Sequence, residues 1–195
     1  SHMHVNDLVG AFVSLPNVEW VACADTVPVV PTKTLKPASR PANMRRTQEL
    51  TGISKVYADY VEMLDKEARN IDAAIISTPD HMHGMAAMWC MERGKHVYVE
   101  KPMTRTVWEA RQLTQAAEKY KVATQMGNQG YSNEGARIAA EIVWSGEIGN
   151  VTEVHAWTTR PIWPQGMTQI PPPSAPPPTL DWDSWLGVAA QRPYA

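Results

Sequence analysis

Three consecutive residues, Glu100, Lys101 and Pro102, follow a short apolar segment and carry the strongest chemical signal in the sequence. A lysine that is partly desolvated in a crevice can give or take a proton near neutral pH. Burying an ion pair at the end of a strand costs desolvation free energy, so its presence there indicates a function. Pro102 favours an extended Lys101 and allows a cis peptide bond between the two residues. Proton transfer at Lys101 is therefore one interpretation, and a surface Glu–Lys pair is the other.

Polar residues also end the other predicted strands. In open α/β sheets, ligands bind outside the carboxyl ends of the strands, and these ends carry Asp25, Thr78-Pro79-Asp80-His81 and Asn128-Gln129. An acidic residue in the position of Asp25 can accept both ribose hydroxyls of an adenosine and repel a 2′-phosphate, which favours NAD over NADP. The alternative for Asp25 is a turn residue or a helix cap.

The segment Asp80-His81-Met82-His83 could supply metal ligands, since it holds two histidines and a carboxylate. A closed site needs a further, distant ligand, and nothing in the sequence places His96 or His155 nearby. We therefore predict no metal, a turn in which Asp80 caps the following helix, and a histidine side chain that faces the crevice. Methionines recur every three residues, a pattern that favours core packing, at Met82, Met85, Met88 and Met91.

Alternating strands and helices must position these residues. Short apolar segments indicate strands at 18–24, 55–57, 71–77, 96–99 and 122–126. Helical spacing predicts helices at 4–15, 42–50, 59–67, 84–93 and 106–120. This alternation is typical of βαβ units, and it predicts a doubly wound, Rossmann-like α/β domain with a parallel sheet over residues 4–130.

The last quarter of the chain has a different composition. Nine of the 16 prolines and five of the 8 tryptophans lie from residue 144 onward. We predict a helix at 133–144, a strand at 151–158 and a short helical turn at 181–187, with stiff proline runs before that turn. A unit of ~60 residues is marginal as an independent core. Residues 131–195 are therefore expected to pack on the sheet domain or on another segment.

Charge and composition narrow the class of partner. The 195 residues have a net charge of −2, which argues against nucleic acid or an anionic membrane as the main partner. No apolar run approaches the ~20 residues of a membrane span. The two cysteines, Cys23 and Cys90, cannot form a disulfide scaffold, and each is expected to be a buried free thiol.

The glycine pattern lacks one feature of dinucleotide-binding folds. Such a fold opens with a strand and a G-x-G-x-x-G loop, whose amides cradle the pyrophosphate. No two glycines here are two residues apart, and the first helix begins almost at Ser1-His2-Met3, which resembles an expression-tag scar. We therefore expect the first strand and the glycine loop to lie outside this sequence.

Three motifs in one order resemble the Gfo/Idh/MocA family, which includes glucose–fructose oxidoreductase and inositol 2-dehydrogenase. They are Ile75–His83 (IISTPDHMH), Gly94–Pro102 (GKHVYVEKP) and Gln125–Gln129 (QMGNQ). The tail, with Arg160–Gly166 (RPIWPQG) and Leu180–Gly187 (LDWDSWLG), resembles a subgroup whose members are often exported bacterial proteins. Localisation is therefore open, with the cytoplasm as the default and export as the alternative.

The resemblance implies an NAD(P)-dependent oxidoreductase that transfers a hydride between the nicotinamide and a sugar, polyol or related carbohydrate. It assigns the role of catalytic lysine to Lys101, near the reacting hydroxyl. The cofactor is expected to be NAD rather than NADP because of Asp25. Cofactor contacts are implied at Asp25, Thr78, Pro79, His81, His83, Glu100, Lys101, Asn128, Gln129, Arg160 and Trp163.

The same resemblance implies that residues 131–195 begin an α+β substrate domain, and that the intact protein is a homo-oligomer. We expect most of that domain, with the family's residues that assist the lysine, to lie outside this sequence. Two alternatives remain. One is an NAD-dependent glycoside hydrolase of the same fold, which works by transient oxidation, and the other is a catalytically silent module that keeps the fold for binding or assembly.

Overall fold

A computed structural model describes residues 4–26, 43–158, 166, 168–178 and 180–195. Its strands are β1 (Cys23–Ala24), β2 (Val56–Tyr57), β3 (Ala73–Ile76), β4 (His96–Glu100) and β5 (Thr124–Gly127). Its helices are α1 (His4–Val13), α2 (Asn43–Thr51), α3 (Tyr60–Glu67), α4 (His83–Glu92), α5 (Val107–Tyr120), α6 (Glu134–Trp144) and α7 (Trp182–Leu186). Strands and helices alternate through β5, and every strand pair is parallel, so the predicted α/β fold class is confirmed.

The strands form two parallel ladders. β1 pairs with β2, and β4 lies between β3 and β5 in the second ladder. On one side of β4, Ile76 pairs with Val99, and on the other side Gly127 pairs with Glu100. Since the three strands run in the same direction, their carboxyl ends meet at one edge of the sheet. The residues that directly follow β3 and β4 therefore start side by side.

Apolar side chains from both strands and helices form a core around the second ladder. Twelve buried residues contribute to it, from α3, β3, α4, β4, α5 and the adjoining segments. Val21, just before β1, packs against the same cluster. Cys90 lies in this core as a free thiol, as predicted, and burial raises its pKa to about 11. Cys23 is also free but only half-buried, which differs from the expectation.

The methionine repeat of α4 faces two environments, which corrects the expectation of uniform core packing. Met91 is fully buried, whereas Met85 is 41% exposed. An α-helix turns by about 100° per residue, so a repeat of three residues drifts by about 60° at each step. Met85 and Met91 therefore lie about 120° apart around the helix, and only one of them can face the core.

Polar side chains fix the first turns of the helices. Asp59 and Asn133 each accept a hydrogen bond from a backbone N–H at the start of α3 and α6. α5 begins with a capping box, in which Thr106 accepts from the N–H of Glu109 and the Glu109 carboxylate accepts from the N–H of Thr106. These bonds satisfy N–H groups that the first turn of a helix leaves unpaired.

Three local predictions are wrong. Residues 151–158 are exposed and form no strand, because a strand needs a hydrogen-bonding neighbour and no described segment pairs with this one. The strand predicted at 18–24 is reduced to Cys23–Ala24, the two residues that pair with β2. Asp80 does not cap α4 but begins a single 3-10 turn, Asp80–Met82, whose geometry is closed by backbone hydrogen bonds.

The described residues fall into two compact units. The first comprises those within Ser1–Gly127 and Ala175–Tyr194, and it contains both ladders, the core and α7. The second comprises those within Asn128–Ser174 together with Ala195, and it contains α6. None of the helices in the described ranges has the length and apolar character needed to cross a membrane. The division of the chain into a cofactor domain (4–130) and a second domain (131–195) stays a prediction.

A buried carboxylate joins β2 to α3. Glu67 accepts hydrogen bonds from Lys55 Nζ at 2.7 Å, from Tyr57 Oη at 2.9 Å and from Asn70 Nδ2 at 3.0 Å. These bonds, the one from Lys55 first, lower the pKa of Glu67 from 4.5 to about 2. A carboxylate that is more acidic in the folded chain stabilises the fold above its unfolded pKa. This stabilisation is lost as the pH falls from about 4.5 towards 2.

We therefore expect Glu67→Gln to lower the free energy of unfolding at pH 7. The difference from the unchanged chain should shrink as the pH falls from about 4.5 towards 2, because the carboxylate is then protonated in both folded and unfolded states. Urea unfolding at a series of pH values measures this. Glu62→Gln is the matched control, since Glu62 lies on the same helix in an exposed pair with Lys66 and should matter less. A difference that does not vary with pH would contradict the assignment.

Candidate functional site

Glu100, the last residue of β4, is only 1% exposed although it carries a carboxyl group. Its neighbour across the ladder is Gly127. A methyl group added to Gly127 would lie 3.0 Å from both Cδ and Oε1 of Glu100 and 3.1 Å from its Cα. The absence of a side chain at Gly127 therefore allows this close approach of Glu100. It leaves the space in which the Glu100 side chain is held at the sheet edge.

Lys101 is the first residue beyond the ladder, and its peptide bond to Pro102 is cis, as the sequence allows. The lysine is exposed in the structure. The partial desolvation expected at this strand end is therefore not observed, because the residue follows the last paired position of β4. Its amine is accessible to a molecule that binds at this edge.

The end of β3 carries two hydroxyl groups without a hydrogen-bond partner. Ser77 Oγ and Thr78 Oγ1 are both buried, and neither has a partner in the part of the chain that the structure describes. A buried polar group left unpaired costs free energy, and native structures rarely retain one without a reason. These two hydroxyls therefore fit a position at which a bound polar molecule completes the hydrogen bonding.

His83, the first residue of α4, has no exposed surface. Its Nδ1 lies 2.6 Å from the carbonyl oxygen of Pro102, and its Nε2 lies 2.8 Å from the carbonyl oxygen of Thr78. The ring thereby connects the segments that follow β3 and β4. The predicted site residues that the structure brings to this edge are Thr78, Pro79, His83, Glu100 and Lys101.

His81 contacts a residue that the sequence analysis did not assign to the site. Its Nε2 lies 2.9 Å from the carbonyl oxygen of Trp185, and the two rings lie 5.2 Å apart. Trp185 in turn stacks on Trp182 at 5.0 Å. Gly187, which follows α7, packs so closely against Met82 that a methyl group on the glycine would overlap the sulfur of the Met82 side chain. α7 is thus seated on the turn after β3, whereas the motif in the sequence predicted only a helical turn.

The remaining predicted site residues belong to other parts of the chain. Asp25 directly follows β1, where its N–H donates to the carbonyl oxygen of Tyr57, in the other ladder. Asn128 and Gln129 belong to the second compact unit and are exposed. Arg160 and Trp163 lie outside the described residues. Within the described ranges, no three histidine, cysteine or carboxylate side chains are grouped so that they could hold a metal ion.

Comparison with known proteins identifies the class of this segment. Residues 37–128 match the family model GFO_IDH_MocA, described as an oxidoreductase family with an NAD-binding Rossmann fold. The chain is 34% identical over 108 residues to a glycosyl hydrolase family 109 protein of Shewanella pealeana, covering 55% of this chain and 22% of that protein. It is 31% identical over 118 residues to scyllo-inositol 2-dehydrogenase (NAD(+)) of Bacillus subtilis, covering 60% and 31%.

A solved structure shows the same fold. The scyllo-inositol dehydrogenase from Lactobacillus casei with bound NAD(H) and scyllo-inositol superposes with a TM-score of 0.60 at 20% identity, covering 76% of this chain and 39% of that one. The predicted Rossmann-like fold is thereby confirmed. Residues 37–128 belong to the Gfo/Idh/MocA family of NAD-binding oxidoreductases. The chain spans between about a sixth and two fifths of the length of the curated relatives that it matches.

The close contact between Gly127 and Glu100 leads to a prediction about this edge. Gly127→Ala should lower the free energy of unfolding by about 1–3 kcal/mol, because the added methyl group displaces the buried Glu100 side chain. Urea unfolding measures the change. Gly130→Ala is the control, since no atom lies within 4 Å of the position of its methyl group. Equal stability of the two variants would show that Glu100 has more room than the structure gives it.

Proposed function

We propose that this chain forms the cofactor-binding part of an NAD-dependent oxidoreductase that acts on a sugar, a polyol or a related carbohydrate. The observation that carries the proposal is the meeting, at one edge of a parallel sheet, of the Glu100–Lys101 pair with the unpartnered hydroxyls of Ser77 and Thr78. The family of residues 37–128 supports it, since that family binds NAD through this fold.

The chain's own residues fit an NAD molecule at this edge. The buried hydroxyls of Ser77 and Thr78 lack hydrogen-bond partners within the described residues. Polar groups of a dinucleotide would supply the missing hydrogen bonds. When bound, NAD would supply the acceptor for a hydride. At this edge Thr78, Pro79, Glu100 and Lys101 would hold it, and His83 would act through the backbone carbonyls that its ring contacts. The family resemblance further implies cofactor contacts from Asp25, His81, Asn128, Gln129, Arg160 and Trp163.

Lys101 would move the proton that accompanies this chemistry. When an alcohol is oxidised to a ketone, its carbon loses a hydride and its hydroxyl loses a proton. An accessible amine next to the reacting hydroxyl can take that proton in the oxidation and return it in the reverse reaction. The Glu100 carboxyl group, buried directly before Lys101, would lie on the cofactor side of the same edge.

The substrate class rests on the relatives. One is a scyllo-inositol 2-dehydrogenase and another has scyllo-inositol bound in its structure, so a polyhydroxylated ring is the substrate class that we carry to this chain. We extend to this protein the homo-oligomeric state that the family resemblance implies. A molar mass measured by light scattering on the full-length protein tests that state.

A glycoside hydrolase is the second candidate, because a glycosyl hydrolase family 109 protein is among the relatives at 34% identity. The two functions differ in what accumulates. A dehydrogenase converts NAD to NADH in step with oxidised product, whereas a glycosidase that oxidises its substrate only transiently releases free sugar without net NADH. Assays with inositols and with aryl glycosides, each followed by NADH absorbance and by sugar release, separate them.

Titration with NAD tests the proposal on this chain. Trp185 lies against His81 and stacks on Trp182, so binding at the sheet edge should change the tryptophan fluorescence. A saturable change with NAD supports the proposal. A chain that folds but gives no change, and that shows no binding by calorimetry, would instead favour a silent module that keeps the fold without the cofactor.

The role of Lys101 leads to a prediction for the full-length protein. Lys101→Ala should reduce turnover by at least ~100-fold, because it removes the proton acceptor, while the dissociation constant for NAD stays nearly unchanged. Initial rates and NAD titration measure the two quantities. Lys119→Ala, an exposed lysine of α5, is the control and should leave both unchanged. Turnover close to that of the unchanged protein would remove Lys101 from the mechanism.

The position of Asp25 leads to a prediction about cofactor selectivity. Asp25→Ala should lower the ratio of the NADP to the NAD dissociation constant by about tenfold, because the carboxylate no longer repels a 2′-phosphate or accepts from the ribose. Titration with both cofactors measures the ratio. Asp72→Ala is the matched control, since this exposed carboxylate precedes β3 at the opposite end of the strand. An unchanged ratio would reduce Asp25 to a turn residue.

A further inference from the structure

We infer that His83 is a positioning residue, which holds the two sides of the proposed cofactor site at a fixed separation by donating both of its ring N–H groups to backbone carbonyls. This inference rests on the proposed function only in calling the site a cofactor site. It gives His83 a role through the backbone rather than through a contact of its own with NAD. Neither ring nitrogen is left over for such a contact, since both lie against carbonyl oxygens.

The hydrogen-bonding capacity of the two partners determines the state of the ring. A carbonyl oxygen can only accept, and a neutral imidazole has only one N–H to donate. Nδ1 and Nε2 lie 2.6 Å and 2.8 Å from their carbonyl oxygens, which is hydrogen-bond distance for both. In a neutral ring, one of these contacts would place two lone pairs against each other in a position without exposed surface. Both contacts are favourable only when the ring carries both protons.

A doubly protonated ring is positively charged. Some features of its surroundings destabilise that charge, and others stabilise it. Burial of the ring disfavours the charge, since no water solvates it, and His83 begins α4, where the helix dipole also disfavours a cation. Two charge-assisted hydrogen bonds act in the opposite direction, since they are stronger than neutral ones. The carboxylate of Glu109 lies close to Gly84, the residue that follows His83. The Cδ of Glu109 is 3.5 Å from the position that a methyl group added to Gly84 would take. The other ionisable groups of the adjoining turn and strand end are Asp80, His81, Glu100 and Lys101.

The position of the His83 ring, just beyond the end of the β3–β4 ladder, accounts for its proposed positioning role. The pairing of β3 with β4 ends at Ile76 and Val99, so the segments beyond are past the ladder. His83 joins them there, from the carbonyl of Thr78 on one side to that of Pro102 on the other. Thr78 also carries one of the unpartnered hydroxyls, and Pro102 follows Lys101 directly. The ring therefore sets the distance between the Thr78 side and the Lys101 side of the site.

Other histidines of the chain provide internal references. The Nε2 of His81 faces one carbonyl oxygen, which a single N–H satisfies. The Nδ1 of His96 accepts a hydrogen bond from the N–H of Ala123 at 2.9 Å, so this nitrogen carries no proton. His96 begins β4, at the end of the strand opposite to Glu100. It is therefore a matched control, as a histidine that bonds to the backbone but lies away from the site.

Nitrogen NMR of the chain labelled with 15N-histidine tests the state of the ring without any ligand. At about pH 7.5, above the ordinary titration range of histidine, His83 should show two protonated ring nitrogens whose protons exchange slowly with water. His96 should show one unprotonated nitrogen under the same conditions. An unprotonated nitrogen at His83 would overturn the inference. This measurement uses the unchanged chain, so it does not depend on whether a variant folds.

The variant His83→Gln tests the positioning role, because glutamine keeps a donor at one end only. Amide hydrogen exchange should become faster in residues 77–80 and 101–104 but not in the core strands, and the dissociation constant for NAD should rise about tenfold. His96→Gln should change neither. Unchanged exchange in both segments, or unchanged NAD affinity in a chain whose unaltered form binds NAD, would overturn the role.

The two proposals can fail separately. A chain that binds no NAD contradicts the proposed function, and the ring spectrum and amide exchange then still decide the role of His83. Conversely, NAD binding together with an unprotonated ring nitrogen at His83 supports the proposed function and overturns the further inference.

Discussion

The parallel pairing of β4 with both of its neighbours is the constraint on which the site depends. Because β3, β4 and β5 run in the same direction, backbone hydrogen bonds bring Ile76, Glu100 and Gly127 to one edge. The residues just past that edge have left the ladder, and their polar groups need other partners. One carbonyl from each of the segments after β3 and β4 meets the ring of His83. The chemistry proposed for Lys101 is therefore placed by hydrogen bonds of the main chain.

Close packing refines this placement. Glu100 is buried at the edge because Gly127 has no side chain, and α7 lies against the turn after β3 because Gly187 lets it approach Met82. A substitution that adds a single methyl group at either glycine would move the neighbouring side chain. Gly127 and Gly187 thus contribute to this edge because the absence of a side chain leaves room for a neighbouring residue.

The order of strands and helices could be predicted from the sequence, because apolar periodicity and helix caps are local. Asp59, Thr106 and Asn133 cap the helices close to the predicted starts. Predictions failed where the local pattern needed a distant partner. The alternating segment 151–158 has no described strand to pair with. The strand predicted at 18–24 keeps only the two residues that β2 pairs with.

The sequence by itself determined the fold class, because apolar periodicity encodes the order of strands and helices. Its short motifs supplied the family resemblance and the proposed site residues. Tertiary structure alone decided which of those residues meet. His81 contacts Trp185, 104 positions away, and both ring nitrogens of His83 reach carbonyl groups on different segments. It also decided that Met91 is buried while Met85 is not. Such contacts depend on how separate elements pack in three dimensions, and no local pattern encodes that distance.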